Sequence, residues 1–127
     1  VLRLRRPPRW RLLPCPTLVR WRQTELFFDD YDLLLTPTMA VTAFPIEDRP
    51  SVIGGKDVEP FWGFLPFTFP INMTGQTASS IPCGFSADGL PIGLHIIGPH
   101  GAEALVLQAS AAFEEARPWI QKRPVVS

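Results

Sequence analysis

The chain has 127 residues, of which 46% are hydrophobic and 11% aromatic, and it carries no formal net charge at pH 7. It has the size of one domain, and a compact chain of this size buries about two thirds of its unfolded surface. The apolar content argues against a disordered protein, and the 15 prolines argue against a helical bundle. No apolar run reaches about 18 residues, which argues against a membrane span or a membrane partner.

The arginines are unevenly distributed. Residues 1–22 contain seven arginines and no acidic residue, so the rest of the chain carries a net charge of −7. Such a segment is typical of a targeting peptide or of a basic arm for nucleic acid. Four prolines interrupt it, however, so the arginines share no helical face and give at most a salt-sensitive attraction. We predict that residues 1–16 form a poorly ordered basic extension with no specific nucleic-acid partner.

A helix is predicted over residues 18–29, with Thr17 as its N-cap, because apolar positions recur there at spacings of three and four. Three consecutive leucines follow at 33–35. A strand without alternation is typical of a sheet that is covered on both faces. We expect these elements to open a domain that spans residues 17–119, with a tail at 120–127.

Residues 39–60 contain prolines, glycines and mixed charges without a steady period, and predict a long loop. Such a loop is either the rim of a pocket or a surface excursion. Residues 61–69 then concentrate five aromatic side chains, which either line an apolar pocket or belong to the core. The candidate pocket-wall residues are Phe61, Trp62, Phe64, Phe67 and Asn72.

A short helix is predicted to end at 72–75, where Gly75 can adopt the left-handed cap conformation. Two strands follow at 78–85 and 92–98, and the turn between them contains Asp88 and Gly89. A second long helix is predicted over 101–117. Its predicted buried face is an alanine-rich stripe. The members of the stripe are Ala104, Leu105, Gln108, Ala112 and Phe113, with Ala109 and Ala116 alongside.

Four short motifs carry a family resemblance. NMTGQ at 72–76, IPCG at 81–84 and GLPIGL at 89–94, with DLLLTPT at 32–38 upstream, resemble the carboxy-terminal segment of amidase signature enzymes. The resemblance covers roughly residues 18–119. It implies an α/β fold in which a mixed sheet is flanked by helices. It also implies a full-length parent that hydrolyses a small-molecule carboxamide to a carboxylate and ammonia or an amine, without a cofactor.

The catalytic groups of the resembling enzymes are two serines and a lysine, and the serines lie in a Gly- and Ser-rich signature upstream of this segment. The lysines of this chain are Lys56 and Lys122, and it has no Gly-Ser-Ser loop. Ser79 and Ser80 are adjacent on a predicted strand, so their side chains point to opposite faces and cannot act together. We therefore expect no catalytic residue in this chain, and no activity when it is alone.

No metal site is expected either. Asp29, Asp30 and Asp32 lack the glycine turn of a calcium loop, and His95 and His100 are not spaced as zinc ligands. His95 stands where the family usually has Gln. The two cysteines, Cys15 and Cys83, imply neither a zinc site nor a disulfide framework, so a reducing cytoplasm is the expected location.

Two alternatives remain open. The chain could be an interaction or structural module that completes a separate N-terminal amidase polypeptide. It could also be a relative of the tRNA-dependent amidotransferase A subunit, although Leu65 stands where that branch is expected to have an acid. In either case the isolated chain should expose sheet edges and associate with itself.

Overall fold

A computed structural model describes residues 16–122, with side chains from Arg22 onward. The predicted basic extension, except for Pro16, and residues 123–127 of the predicted tail lie outside the described residues. The first helix, α1, is Pro16–Phe28, so Thr17 lies inside it and not at its N-cap. The other helices are α2, Thr68–Thr74, and α3, Glu103–Ala116. None of the three has the length and apolar character to cross a membrane.

Five strands complete this part of the chain. They are β1, Leu34–Pro37; β2, Val52–Ile53; β3, Lys56–Asp57; β4, Thr77–Phe85; and β5, Pro91–Gly98. β5 is the central strand of a three-stranded sheet in the order β1-β5-β4, and both pairings are antiparallel. This arrangement of a sheet with helices confirms the predicted α/β class.

The predicted helix cap and turn are both confirmed. Gly75 follows α2 with φ of 75°, and its N–H donates to the Ile71 carbonyl at 2.9 Å. Gly89 has φ of 79° in the turn between β4 and β5. The Ser86 hydroxyl accepts the Leu90 N–H at 3.1 Å and closes that turn. In both places a glycine stands where the backbone must be left-handed.

The core lies on both faces of β5. Ile96 and Ile97 point to opposite faces and are only 2% and 0% exposed. On one face α3 packs so closely that a Cβ on Gly98 would lie 2.8 Å from Val106 Cγ2. On the other face, Leu34 lines a common cavity with residues of α1 and α2.

The predicted buried face of α3 is partly wrong. Ala104, Gln108 and Ala112 are exposed, whereas Val106 is only 2% exposed. Leu105 and Phe113, which also belong to the predicted stripe, are half-buried. The helix packs closely against the sheet at Gly98, and this buries the face of α3 that carries Val106. The sequence pattern had instead indicated the alanine-rich face.

The prediction that the leucine strand is covered on both faces is also wrong for the described chain. Burial alternates along β1, and Leu35 is 56% exposed. The reason is that α3 packs over β4 and β5, which leaves the same face of β1 open.

The 39–60 segment is more structured than expected of a loop. β2 and β3 form a small antiparallel hairpin within it. Gly54 and Gly55 make its turn with φ of 57° and 76°, values that suit a two-residue hairpin turn.

Candidate functional site

Phe61, Trp62 and Phe69 form one exposed surface, which we call the aromatic patch. Their exposed fractions are 56%, 54% and 42%. The Trp62 ring centroid lies 5.2 Å from that of Phe61 and 5.7 Å from that of Phe69. The Arg49 guanidinium lies 4.6 Å from the Phe61 ring centroid, within range of a cation–π interaction.

The backbone beneath the patch is held by a single carboxylate. Glu59 Oε2 accepts the N–H groups of Phe61 and Trp62 at 2.9 and 2.7 Å. The Gly63 N–H then donates to the Glu59 carbonyl at 2.7 Å. A Cβ at Gly63 would lie 2.6 Å from that carbonyl oxygen, so the turn is tight enough to require glycine. The two exposed rings are therefore presented by a fixed turn.

The candidate wall residues divide between two surfaces. Phe61 and Trp62 belong to the aromatic patch. Phe64 is half-buried and its ring lies 5.1 Å from that of Phe44, while Phe67 is half-buried just before α2. Asn72 is exposed on α2. The structure thus brings together two of the five predicted residues.

The list of candidate wall residues omitted one member of this surface. Phe69 joins the patch through Trp62, and Met73, four residues further along α2, is also exposed, by 49%. Their spacing of four residues places both on one side of a helix. The sequence shows that spacing, but it does not show which side of the helix is exposed. The burial of Ile71 in the structure decides that.

A separate cleft of about 480 Å³ lies at the end of β5. Its walls are residues 39–44 and 91–93. The Ala40 N–H donates to the Phe64 carbonyl at 3.3 Å, so the aromatic segment supports one wall of this cleft. The start of the 39–60 segment therefore lines one side of this cleft, and its role as the rim of a substrate pocket stays a prediction.

The two adjacent serines point to opposite faces, as predicted. The Ser79 Oγ lies 2.8 Å from the Ser110 Oγ of α3, and Ser110 donates to the Val106 carbonyl at 2.7 Å. Ser80 Oγ lies 2.6 Å from Thr38 Oγ1 on the other face. No hydrogen bond links either serine to a lysine among residues 22–122, and Lys122 Nζ lies over the Phe85 ring at 4.6 Å.

The histidines and the free cysteine have structural contacts. Burial lowers the pKa of His95, which is 5% exposed and has Nδ1 3.5 Å from Thr36 Oγ1. His100 Nδ1 donates to the Gly75 carbonyl at 2.8 Å, and the Cys83 thiol donates to the Ile92 carbonyl at 3.4 Å. Within the described range, no group of three His, Cys, Asp or Glu side chains is placed to hold a metal.

Comparison with known proteins assigns a family to this geometry. The family described as Amidase matches residues 17–107. An acylamidase of Rhodococcus erythropolis is 42% identical over 109 residues, and the glutamyl-tRNA(Gln) amidotransferase A subunit of Moorella thermoacetica is 44% identical over 116 residues. These matches cover 84% and 90% of this chain, but only 23% and 22% of the relatives.

A solved structure gives the same answer. A bacterial aryl acylamidase of the amidase signature family superposes with a TM-score of 0.74 and 37% identity. The superposition covers 86% of this chain and 24% of that enzyme, so the chain spans about a quarter of its length. The four motifs, the confirmed α/β class and these matches agree, and the chain belongs to the amidase signature family.

Proposed function

We propose that this chain supplies part of the substrate-binding wall of an amidase that hydrolyses carboxamide C–N bonds to a carboxylate and ammonia or an amine. The aromatic patch carries this proposal. Large exposed aromatic side chains in a soluble fold are typical of binding surfaces, and here a fixed turn presents them. The reacting serine and lysine groups would come from the part of the amidase fold that this chain does not match.

The patch favours amides with an aryl or long apolar group. Two of the relatives are described as an acylamidase and an aryl acylamidase. Flat rings pack against aromatic side chains with a gain of about 0.5–1.5 kcal/mol beyond the burial of their surface. A small amide such as acetamide has no ring or long apolar group to pack against such a surface.

A chimeric enzyme tests the proposal. The matching segment of the Rhodococcus erythropolis acylamidase is replaced by residues 17–119 of this chain, and hydrolysis of an anilide and of acetamide is measured. We expect activity on the anilide, a KM for the anilide about tenfold higher in Trp62→Ala, and an unchanged value for acetamide. Ile46→Ala is the matched control, because Ile46 is 94% exposed and lies outside the patch.

The outcomes of this experiment are separable. A folded chimera without amide hydrolysis would contradict the amidase function, and an unchanged anilide KM in Trp62→Ala would contradict the role of the patch. The purified chain alone should show no turnover. Hydrolysis by the isolated chain that disappears in Ser79→Ala or Ser80→Ala would overturn the assignment of catalysis to groups outside it.

A second candidate is the amidotransferase branch. Its support is the 44% identity to the Moorella thermoacetica amidotransferase chain, which is close to the 42% identity to the Rhodococcus erythropolis acylamidase. Release of glutamate from glutamine by the same chimera would favour this candidate over the general amidase. The cytoplasmic location stays a prediction.

A further inference from the structure

Another cleft lies where the hairpin of β4 and β5 meets the segment that follows α3, and we call it the hairpin cleft. Its larger part has a volume of about 590 Å³, which is typical of a site for a small molecule. A smaller part of about 270 Å³ adjoins it. Four wall residues are common to both parts, and they are Pro82, Phe85, Trp119 and Lys122.

Local backbone structure shapes both walls of the hairpin cleft. The pairing of β4 with β5 shifts in register between Pro82 and Gly84, which leaves a bulge at Cys83. A bulge bends its strand and increases the local twist. On the other wall, the Lys122 N–H donates to the Trp119 carbonyl at 2.8 Å. A bent strand and a closed turn therefore place the four shared residues around one space.

The wall combines aromatic surface with positive charge. Lys122 Nζ lies 4.6 Å from the centroid of the Phe85 ring, and Arg117 lines the smaller part. The basic side chains between residues 23 and 122 are Arg49, Lys56, Arg117 and Lys122, so two of these four border the same cleft.

No acidic side chain among residues 22–122 lines either part of the cleft. The carbonyl end of α3 borders the smaller part at Ala116 and carries about half a negative charge. The full positive charges of Arg117 and Lys122 outweigh it. The hairpin cleft therefore favours an anion.

Trp119 also has an unpaired hydrogen-bond donor. Its Nε1 is buried and has no acceptor among the residues that the structure describes. A buried donor without a partner costs free energy. A carboxylate beside the indole would accept this proton after a small rotation of the ring.

We propose that the hairpin cleft binds a small aryl carboxylate, with its ring against Phe85 and Trp119 and its carboxylate near Lys122 and Arg117. Aromatic side chains pack favourably against the ring, and the cations donate charge-assisted hydrogen bonds to the carboxylate. This site shares no residue with the aromatic patch and does not rest on the proposed function.

Titration of the full 127-residue chain with benzoate tests the site. The indole N–H signals are followed by NMR, and the signal lost in Trp119→Phe identifies Trp119. We expect benzoate to move this signal saturably, whereas the signal lost in Trp62→Phe stays in place. Acetate lacks the ring and benzyl alcohol lacks the charge, so each should bind about fivefold more weakly than benzoate.

Two variants with the same loss of charge give the control. Lys122→Gln should weaken benzoate binding about fivefold, because it removes a cation from the cleft, and Lys122→Arg should retain most of the affinity. Lys56→Gln should bind as the parent chain does, since Lys56 is exposed on β3 and lines neither part of the cleft. Circular dichroism of each variant verifies that it folds.

The outcomes are separable from those of the amidase experiment. Absence of a saturable Trp119 shift would overturn the carboxylate site, as would equal affinity for benzoate and benzyl alcohol or unchanged affinity in Lys122→Gln. A shift of the Trp62 signal in place of the Trp119 signal would assign benzoate to the aromatic patch and would also overturn it. Hydrolysis by the chimera bears only on the proposed function, because benzoate binding is measured without an amide.

Discussion

At the scale of single residues, Gly93 leaves room for two hydroxyl groups that lie against it. It lies on β5 and faces the hydroxyls of Thr38, which follows β1, and of Ser80 on β4. A Cβ there would lie 2.6 Å from Thr38 Oγ1 and 2.9 Å from Ser80 Oγ. Those two oxygens are hydrogen-bonded to each other at 2.6 Å, so neither can move away without breaking that bond.

We expect Gly93→Ala to lower the free energy of unfolding by about 1–3 kcal/mol, the usual cost of overpacking. Urea denaturation measures the change. Gly84→Ala is the matched control, because a Cβ at Gly84 meets nothing within 4 Å. In the double variant with Thr38→Ala, part of the loss should return. Equal losses in the Gly93 and Gly84 variants would contradict this account.

His95 makes stability depend on pH. Burial lowers its pKa below the ordinary value of 6.5, so the unfolded chain binds a proton more readily than the folded chain. The chain therefore keeps its full free energy of unfolding with respect to His95 above pH 6.5. Part of that free energy is lost as the pH falls from 6.5 toward the lowered pKa. Replacing the imidazole with an amide removes this titration.

The measurement is the difference in unfolding free energy between the parent chain and His95→Gln, followed from pH 7.5 to 5.5. We expect the difference to shift in favour of His95→Gln as the pH falls, because the carboxylate contributions are common to both chains. Parallel pH profiles would show that His95 does not titrate differently on folding.

At the scale of elements, α2 positions one member of the aromatic patch, because Phe69 lies on that helix. The helix ends at Gly75, whose φ of 75° a residue with a Cβ adopts only at a cost of about 1–2 kcal/mol. His100 holds the same point by donating to the Gly75 carbonyl. The short helix therefore depends on both its cap and the loop after β5.

We expect Gly75→Ala to destabilise the chain by about 1 kcal/mol, and Gly75→Asn to cost less, because Asn tolerates the left-handed conformation better. Thermal unfolding of the three chains checks the order. An alanine variant as stable as the parent would indicate that α2 does not need this cap.

The features that sequence predicted are those with local causes. Gly75 and Gly89 mark a cap and a turn through their own backbone freedom, and Ser79 and Ser80 must alternate on any strand. The exposure of Leu35 and the burial of Val106 depend instead on where α3 crosses the sheet. Phe69 was missed as a patch residue for the same reason, since its exposure is set by the packing of Ile71 from the same helix.

At the scale of the whole molecule, residues 22–122 expose large apolar side chains at several places, and two of them are surfaces described above. One is the aromatic patch, with Trp62 54% exposed, and the other is the β1 edge, with Leu35 56% exposed. Apolar patches that lie open on a monomer favour association.

We therefore expect the purified chain to associate in a concentration-dependent way. Sedimentation velocity between about 5 and 200 μM measures this, because exposed strand edges and apolar surface promote association in that range. Leu35→Lys and Trp62→Arg should each reduce association, and the double variant should associate less than either single variant. Ile46→Lys should leave association unchanged, because Ile46 is followed by Glu47 and Asp48 and extends no apolar surface. A parent chain that sediments as a monomer at every concentration and melts cooperatively would show that these surfaces need no cover.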